Sequence, residues 1–302
     1  MEDFLLDFRD YLHDQDKSAN TIKSYLTDLR VFSAWFSAKN GEQMRPERLT
    51  PIDIIGYRHA MLEEGKKPST INRCLISISN LCQWAQEDNR IPSNPAQNVR
   101  AVAEEPLGPR ALDRKEQLAL MRAARKEGSI RDLAILTVLL HTGLRVGELC
   151  NLRLNHITIH ENSGVLIIEE GKGTKRRRVP LNPTVTAVLK DYLKSNEAGS
   201  VGVVTDNVGN KTRQHLFYGQ KGMPLTDRGI RHMINKYAYM SKIRHLSPHV
   251  LRHTCAKNLI DTGVSLDKVS KILGHANVNT TSIYTTPTER DLENAMTGIS
   301  WE

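Results

Sequence analysis

The sequence predicts a mainly α-helical protein with one small antiparallel β-sheet, divided into two domains. Three observations carry that expectation. Over the first hundred residues, apolar side chains recur at helical spacing in four segments. The stretch IPSNPAQNVRAVAEEPLGPR (91–110) then holds four prolines and no apolar periodicity, which marks a linker. Beyond it the pattern is helical again, except near 157–181, where it turns to alternation. The expected division is 1–93 for an N-terminal helical domain, 94–111 for the linker and 112–302 for a second domain.

Each element has a local reason. Phe4, Leu5, Phe8, Tyr11 and Leu12 set the first helix. Ser18 or Asn20 caps a second, which carries Ile22, Leu26, Leu29, Phe32 and Phe36. Thr50-Pro51 is an N-cap followed by proline at the first helical position, opening a third helix with Ile54, Tyr57 and Met61. Ser69 is expected to start a fourth, with Ile71, Leu75, Ile78, Leu81 and Trp84. The second domain opens with helices near 113–125 and 130–142. Strands follow at 165–169 and 176–181, joined by a tight turn over Gly171-Lys172-Gly173-Thr174, with a third strand at 157–160. A helix runs from Pro183 to Leu193, and the polar, Gly/Asn-rich tract 196–213 reads as a surface loop. Helices are expected again near 225–240, 247–262, 265–273, 277–284 and 288–297.

Composition narrows the function. The most apolar stretch, Leu133 to Leu140, is too short to cross a bilayer, so no membrane span is expected. The opening MEDFLLDFRD lacks the basic and then apolar pattern of a secretory signal. Cys74, Cys82, Cys150 and Cys255 form no CxxC pair, which fits a reducing, cytoplasmic setting. The net charge is +8, and it is uneven. Residues 1–100 hold 13 basic and 14 acidic side chains, whereas the remainder holds 29 and 20. A basic second domain points to a polyanionic partner, most simply nucleic acid.

Three segments carry the candidate chemistry. HTGLRVGELCNLR (141–153) sets Arg145 between two glycines. SPHVLRHTCAKNLIDTG (247–263) places His249, Arg252, His253 and Ala256 on one helical face, with Leu251, Cys255 and Leu259 opposite as core. His249 and Arg252 are therefore expected to point away from the core together, at a helix start that favours an anion. LGHANVNTTSIYTTP (273–287) adds His275 and Tyr284. His249 and His253 also have zinc-helix spacing, but Val250 stands where a zinc hydrolase needs its glutamate, and Arg252 between them repels a cation. Singly, a solvated arginine, a capping histidine and a core tyrosine explain each residue. Jointly, they supply two permanent cations, two near-neutral donors and one nucleophile, the set that an in-line attack on a phosphodiester requires. No Asp/Glu cluster lies nearby in sequence to hold magnesium, so neither metal nor cofactor is expected. A proton donor for the leaving oxygen is sought in GKGTKRRRVPL. Lys172 is the candidate and Lys175 its nearest rival, and the run Lys175, Arg176, Arg177 and Arg178 is read as phosphate-touching or solvated charge.

In their order and spacing, HTGLRVGEL, GKGTKRRRVPL, SPHVLRHTCAKNL and LGHANVNTTSIYT resemble the tyrosine recombinases, the phage-integrase or Xer-like site-specific recombinases. SANTIKSYLTDLRVFSAWF and PSTINRCLISISNLCQWA resemble that family's SAM-like core-binding helices. The resemblance implies that Arg145 and Arg252 clamp the scissile phosphate. It also implies that His249 is the base, His275 a phosphate donor and Lys172 the acid for the 5′ oxygen. Tyr284 would be the nucleophile, giving a 3′-phosphotyrosyl DNA, and Glu148 would support the first arginine. The family implies two domains closing as a clamp on a double-stranded core site, with basic residues such as Lys23 and Arg73 touching DNA from the N-terminal side. It implies a tetramer on two sites, a C-terminal helix docking on a neighbour, and in some cases a second recombinase or accessory protein. The setting would be the nucleoid. A type IB topoisomerase and a catalytically silent DNA-binding module share parts of this pattern. Tyr237 and Tyr239 are the next candidates for nucleophile.

Overall fold

The computed structural model describes residues 3–104, 109–170, 175–195, 204–205, 211–212, 215–219, 222–274 and 296. The chain divides into two compact units, Met1–Pro106 and Leu107–Glu302.

Among the described residues, the first unit holds four α-helices, α1 (Asp3–Asp14), α2 (Ala19–Asn40), α3 (Pro51–Glu63) and α4 (Pro68–Glu87), with one 3-10 turn at Pro46–Arg48. Ser18, and not Asn20, caps α2, its Oγ accepting the Thr21 N–H at 3.1 Å. Gly41 ends α2 in the left-handed region, with φ 72°. Thr50 and Asp53 form a reciprocal capping box around Pro51. α4 starts one residue earlier than Ser69 suggested, because Pro68 occupies the first turn, where its missing N–H costs nothing. Phe8, Leu29, Phe32, Ile54, Ile71, Ile78 and Leu81 form a dry core. Each such side chain contributes about 1.5–3 kcal/mol relative to exposure. Buried in the same unit is Asp28, which accepts from Ser77 Oγ at 2.9 Å and pairs with Arg73 across α2 and α4.

The second unit begins with α5 (Arg114–Glu127), α6 (Ile130–Thr142) and the short α7 (Val146–Cys150). Strands β1 (Ile157–Ile159), β2 (Gly164–Glu170) and β3 (Lys175–Leu181) form an antiparallel sheet in that order. α8 (Pro183–Lys194), α9 (Asp227–Met240), α10 (Pro248–Asp261) and α11 (Leu266–Leu273) follow. α6 is apolar nearly all round, and Ala134 to Leu139 are all buried, as befits the central helix. On the sheet, Leu166, Ile168, Val179 and Leu181 face the core, while Arg176 and Arg178 are exposed.

One expectation is corrected. Within 196–213, β4 (Val204–Thr205) pairs antiparallel with β5 (Lys211–Thr212), so the tract contains a small hairpin. Strands of two residues leave no alternation to read. The expected turn at 171–174 and helix at 277–284 lie outside the described residues, as does all of the final helix except Met296. Cys74, Cys82 and Cys255 are buried, Cys150 is half-buried, and all four are free thiols. No helix among the described residues is long and apolar enough to cross a membrane.

Candidate active site

The site is built where α6, α7, α10, α11 and β3 meet. α6 ends on Gly143 in the left-handed region, with φ 62°. A Cβ there would lie 2.4 Å from Leu273 Cδ2 and 3.4 Å from Cys255 Sγ, so only glycine lets the three helix segments come this close. The chain then reverses into α7 with Arg145 as its N-cap. Glu148, one turn on, accepts the Arg145 backbone N–H at 2.8 Å and its Nη1 at 2.9 Å. The other Nη of Arg145 donates to the carbonyl of Gly274, at 2.9 Å.

Arg252 departs from expectation. It does not point away from the core beside His249. It is 4% exposed, and its Nη1 and Nη2 donate to the carbonyls of Gly143 (2.6 Å) and Leu273 (2.8 Å). Its helical face is covered because Ala256, one turn along, packs with Val269 and Leu273. The guanidinium thus rests on the C-terminal ends of α6 and α11, where unpaired carbonyls and helix dipoles favour a cation. His249, on the same face, is exposed as expected. His253 is half-buried, with its ring 6.5 Å from that of His249. Burial, then the charges of His249 and Arg252, push the His253 pKa down, so this imidazole is neutral at neutral pH.

One of the arginines read as a nucleic-acid contact is instead held within the fold. Arg177 has a side chain 10% exposed; its Nη1 and Nη2 donate to the two oxygens of Glu148, at 2.9 and 2.8 Å, and its Nε donates to the carbonyl of Ile272 at 3.0 Å. The reason is strand parity. Arg177 alternates with Val179 and Leu181, which face the core, and Arg176 and Arg178 lie on the other face. That signal was present in the sequence. Arg73 pairs with the buried Asp28 and donates to Ser24 Oγ at 3.1 Å. Arg176 is exposed and meets Glu169 across the strands at 2.8 Å, and Arg178 and Lys23 are exposed. Lys175 opens β3, with its side chain outside the described residues, where Lys172, His275 and Tyr284 also lie.

Among the described residues, Glu148 is the one carboxylate of this cluster. Burial pushes its pKa up, but hydrogen bonds from Arg177 and the Arg145 N–H, with both positive charges, outweigh burial and hold it below the ordinary carboxylate range. It is therefore ionised, and it serves Arg145 and Arg177 together. Converging guanidiniums suit an oxyanion, and among the described ones Arg145, with a side chain 42% exposed, is open to solvent. Among the described residues, no three His, Cys, Asp or Glu side chains group as metal ligands. Of the two rival tyrosines, Tyr237 is buried and donates to Asp132 at 2.9 Å, with burial raising its pKa, whereas Tyr239 is exposed on α9.

The arginine cluster falls within the match of residues 110–290 to the phage integrase family, and residues 5–89 match that family's N-terminal SAM-like domain. The chain belongs to the phage integrase family. This tyrosine recombinase is 31% identical over 297 residues to tyrosine recombinase XerD of Listeria monocytogenes, covering 97% of each chain. It is 31% identical over 271 residues to tyrosine recombinase XerC of Thermodesulfovibrio yellowstonii, covering 89% and 86%. Among solved structures, the recombinase superposes on XerA recombinase with a TM-score of 0.54 at 27% identity, covering 98% of both chains. It also superposes on XerH bound to palindromic difH substrate, with a TM-score of 0.74 at 22% identity over 92% and 79%. The second likeness establishes the fold. The enzyme is a site-specific recombinase that breaks and rejoins DNA strands.

Proposed function

We propose that the recombinase cleaves one strand of a double-stranded core site with Tyr284 and rejoins it to a partner duplex, the scissile phosphate lying on Arg145 and Arg252. The tyrosine oxygen attacks phosphorus in line, His249 receives the hydroxyl proton, and Lys172 protonates the departing 5′ oxygen. The product is a 3′-phosphotyrosyl ester and a free 5′-hydroxyl. One phosphoester bond forms as one breaks, so no external energy source or oxidant is needed. The 5′-hydroxyl of the partner strand then displaces the tyrosine. Two such exchanges, through a four-way junction in a tetramer on two sites, serve resolution of a dimer or cointegrate and integration of a mobile element alike. His275 supplies a further donor to the phosphate. The nucleoid, where such sites lie, is the setting.

The observation that carries this reading is the arginine cluster. Arg145 and Arg252 donate to consecutive carbonyls, Gly274 and Leu273, so two cations from elements about a hundred residues apart converge just before His275. Pre-positioned cations stabilise charge that builds on the nonbridging oxygens, without reorganisation as the reaction proceeds. XerH, a structural neighbour, was solved in a post-cleavage complex with its DNA substrate, which is consistent with this use of the fold.

Covalent trapping tests it. Wild-type and Tyr284→Phe proteins are mixed with nicked suicide duplexes carrying candidate sites and run on denaturing gels. A protease-sensitive band at the DNA 3′ end is expected with the wild type alone. A band that persists in Tyr284→Phe moves the nucleophile elsewhere, to the exposed Tyr239 first.

A further inference from the structure

The last turn of α11 is gripped in an unusual way. Three consecutive carbonyls each accept from a different arginine: Ile272 from Arg177 Nε (3.0 Å), Leu273 from Arg252 Nη2 (2.8 Å) and Gly274 from Arg145 Nη2 (2.9 Å). The arginines come from β3, α10 and the start of α7. Helix ends leave such carbonyls without intrahelical partners, and the dipole makes them negative, so one cation would suffice for stability. Glu148 joins two of the three by accepting from Arg145 and, through both oxygens, from Arg177. Arg177 and Glu148 have side chains only 10% and 11% exposed.

A buried ion pair is a poor way to gain stability, since apolar residues of similar volume serve as well or better. It is a good way to fix geometry. The guanidinium of Arg177 is a rigid fork: one edge meets both oxygens of Glu148 and its Nε meets Ile272. A lysine ammonium, a point charge on a flexible stem, has no such fixed fork for the three acceptors. Orienting Glu148 orients Arg145, and holding Ile272 holds the helix end from which the chain proceeds to His275.

We propose that Arg177 is a positioning residue for the recombination reaction: through Glu148 it sets the Arg145 guanidinium, and through the Ile272 carbonyl it sets the end of α11. It acts on the geometry of the phosphate clamp and does not itself contact DNA. This inference rests on the reading that Arg145 and Arg252 bind the scissile phosphate.

The test uses the full chain, with Arg177→Lys, Arg177→Gln and Glu148→Gln, on the suicide duplex that traps the wild type. Two quantities are separated: equilibrium binding across a salt series, and the single-turnover rate of covalent complex at saturating DNA. Arg177→Gln is expected to bind within about threefold of wild type with an unchanged salt slope, because no phosphate contact is lost. Its covalent step is expected to slow about a hundredfold, the usual effect of an ångström of misplacement, with partial recovery in Arg177→Lys. The acid limb of its rate profile moves to higher pH. Glu148 is faced by Arg145 and Arg177, and loses the second. In a Glu148→Gln background, removing Arg177 costs less than the roughly hundredfold it costs in the wild type, because the route through Glu148 is already lost and the Ile272 contact alone remains to be removed.

Two results overturn the proposal. One is weaker binding, with the salt slope reduced by about 0.9 and an unchanged rate once bound, which makes Arg177 a phosphate contact. The other is wild-type binding and rate together. Should Arg177→Gln fail to fold, Arg177→Lys decides alone, since it keeps the charge and loses only the fork. Absence of a covalent complex with the wild type strikes at the catalytic reading itself, and is distinguished by that control.

Discussion

The two units each bury one carboxylate against an arginine from another element, and they use the pair differently. Asp28 lies between α2 and α4, accepting from Ser77 and Arg73, and Arg73 remains 47% exposed on its side chain. Glu148 lies between α7 and β3 with Arg177 only 10% exposed, and it also holds the guanidinium of Arg145. The first pair joins two helices that already share an apolar core. The second joins α7 to β3, and the guanidiniums on its carboxylate converge on one helix end. A buried ion pair is thus a clamp on packing in one unit and a clamp on geometry in the other.

The largest expected contrast comes from removing the carboxylates. Glu148→Ala takes the shared carboxylate from a buried and a half-exposed guanidinium and should cost about 3–5 kcal/mol, together with loss of the covalent DNA complex. Asp28→Ala should cost about 1–3 kcal/mol, because Arg73 can turn to water and Ser77 Oγ keeps its second acceptor, the Arg73 carbonyl at 3.1 Å. Its rate of covalent complex per bound molecule should stay at the wild-type value. Denaturant unfolding and single-turnover trapping give both numbers, and equal losses in both assays would remove the distinction.

A smaller effect is in pH. The Glu148 carboxyl is held below its ordinary range when folded, so its stabilisation is complete above the unfolded value and is lost as pH falls through the lower, folded value. The stability difference between wild type and Glu148→Gln should therefore be full at neutral pH and begin to shrink once pH enters the ordinary carboxylate range. It should close only under more acidic conditions, below the folded value. A difference that vanishes within the ordinary range would show that the two arginines do not act on Glu148 in solution.

The smallest effect concerns Arg176, the neighbour of Arg177 on the opposite face of β3. Its pair with Glu169 is exposed on both sides, so Arg176→Ala should change stability by less than about 1 kcal/mol. Where it touches DNA, the log–log salt slope of binding falls by about 0.9. The adjacent residues then give opposite signatures: chemistry without affinity at 177, and affinity without chemistry at 176.

What the sequence disclosed followed the range of the forces involved. The Thr50-Pro51 start of α3 could be read because a capping box is complete within four residues. Ile168 and Val179 could be placed in the core because alternation is local. Arg252 lies on the face the spacing predicts, but its burial there is not legible, because what covers it is remote. Its acceptors, Gly143 and Leu273, lie 109 and 21 residues away. Arg177 is expected in solvent for the same reason, since Glu148 comes from another element, whereas Arg73 keeps its exposure while pairing with Asp28. Reading the run 175–178 as uniform charge also discarded the parity that separates Arg177 from Arg176 and Arg178.

The cysteines have a practical consequence for watching the protein bind DNA. Burial raises the thiols of Cys74 and Cys150 to about 11 and those of Cys82 and Cys255 to about 12, so almost none is thiolate at neutral pH. A cysteine placed on an exposed surface, such as Glu63→Cys at the end of α3, has an ordinary thiol pKa of about 8.5 and reacts with a maleimide dye roughly a hundredfold faster or more. The chain can therefore carry a single fluorophore while keeping all four native cysteines, and its binding to dye-labelled DNA becomes visible as energy transfer.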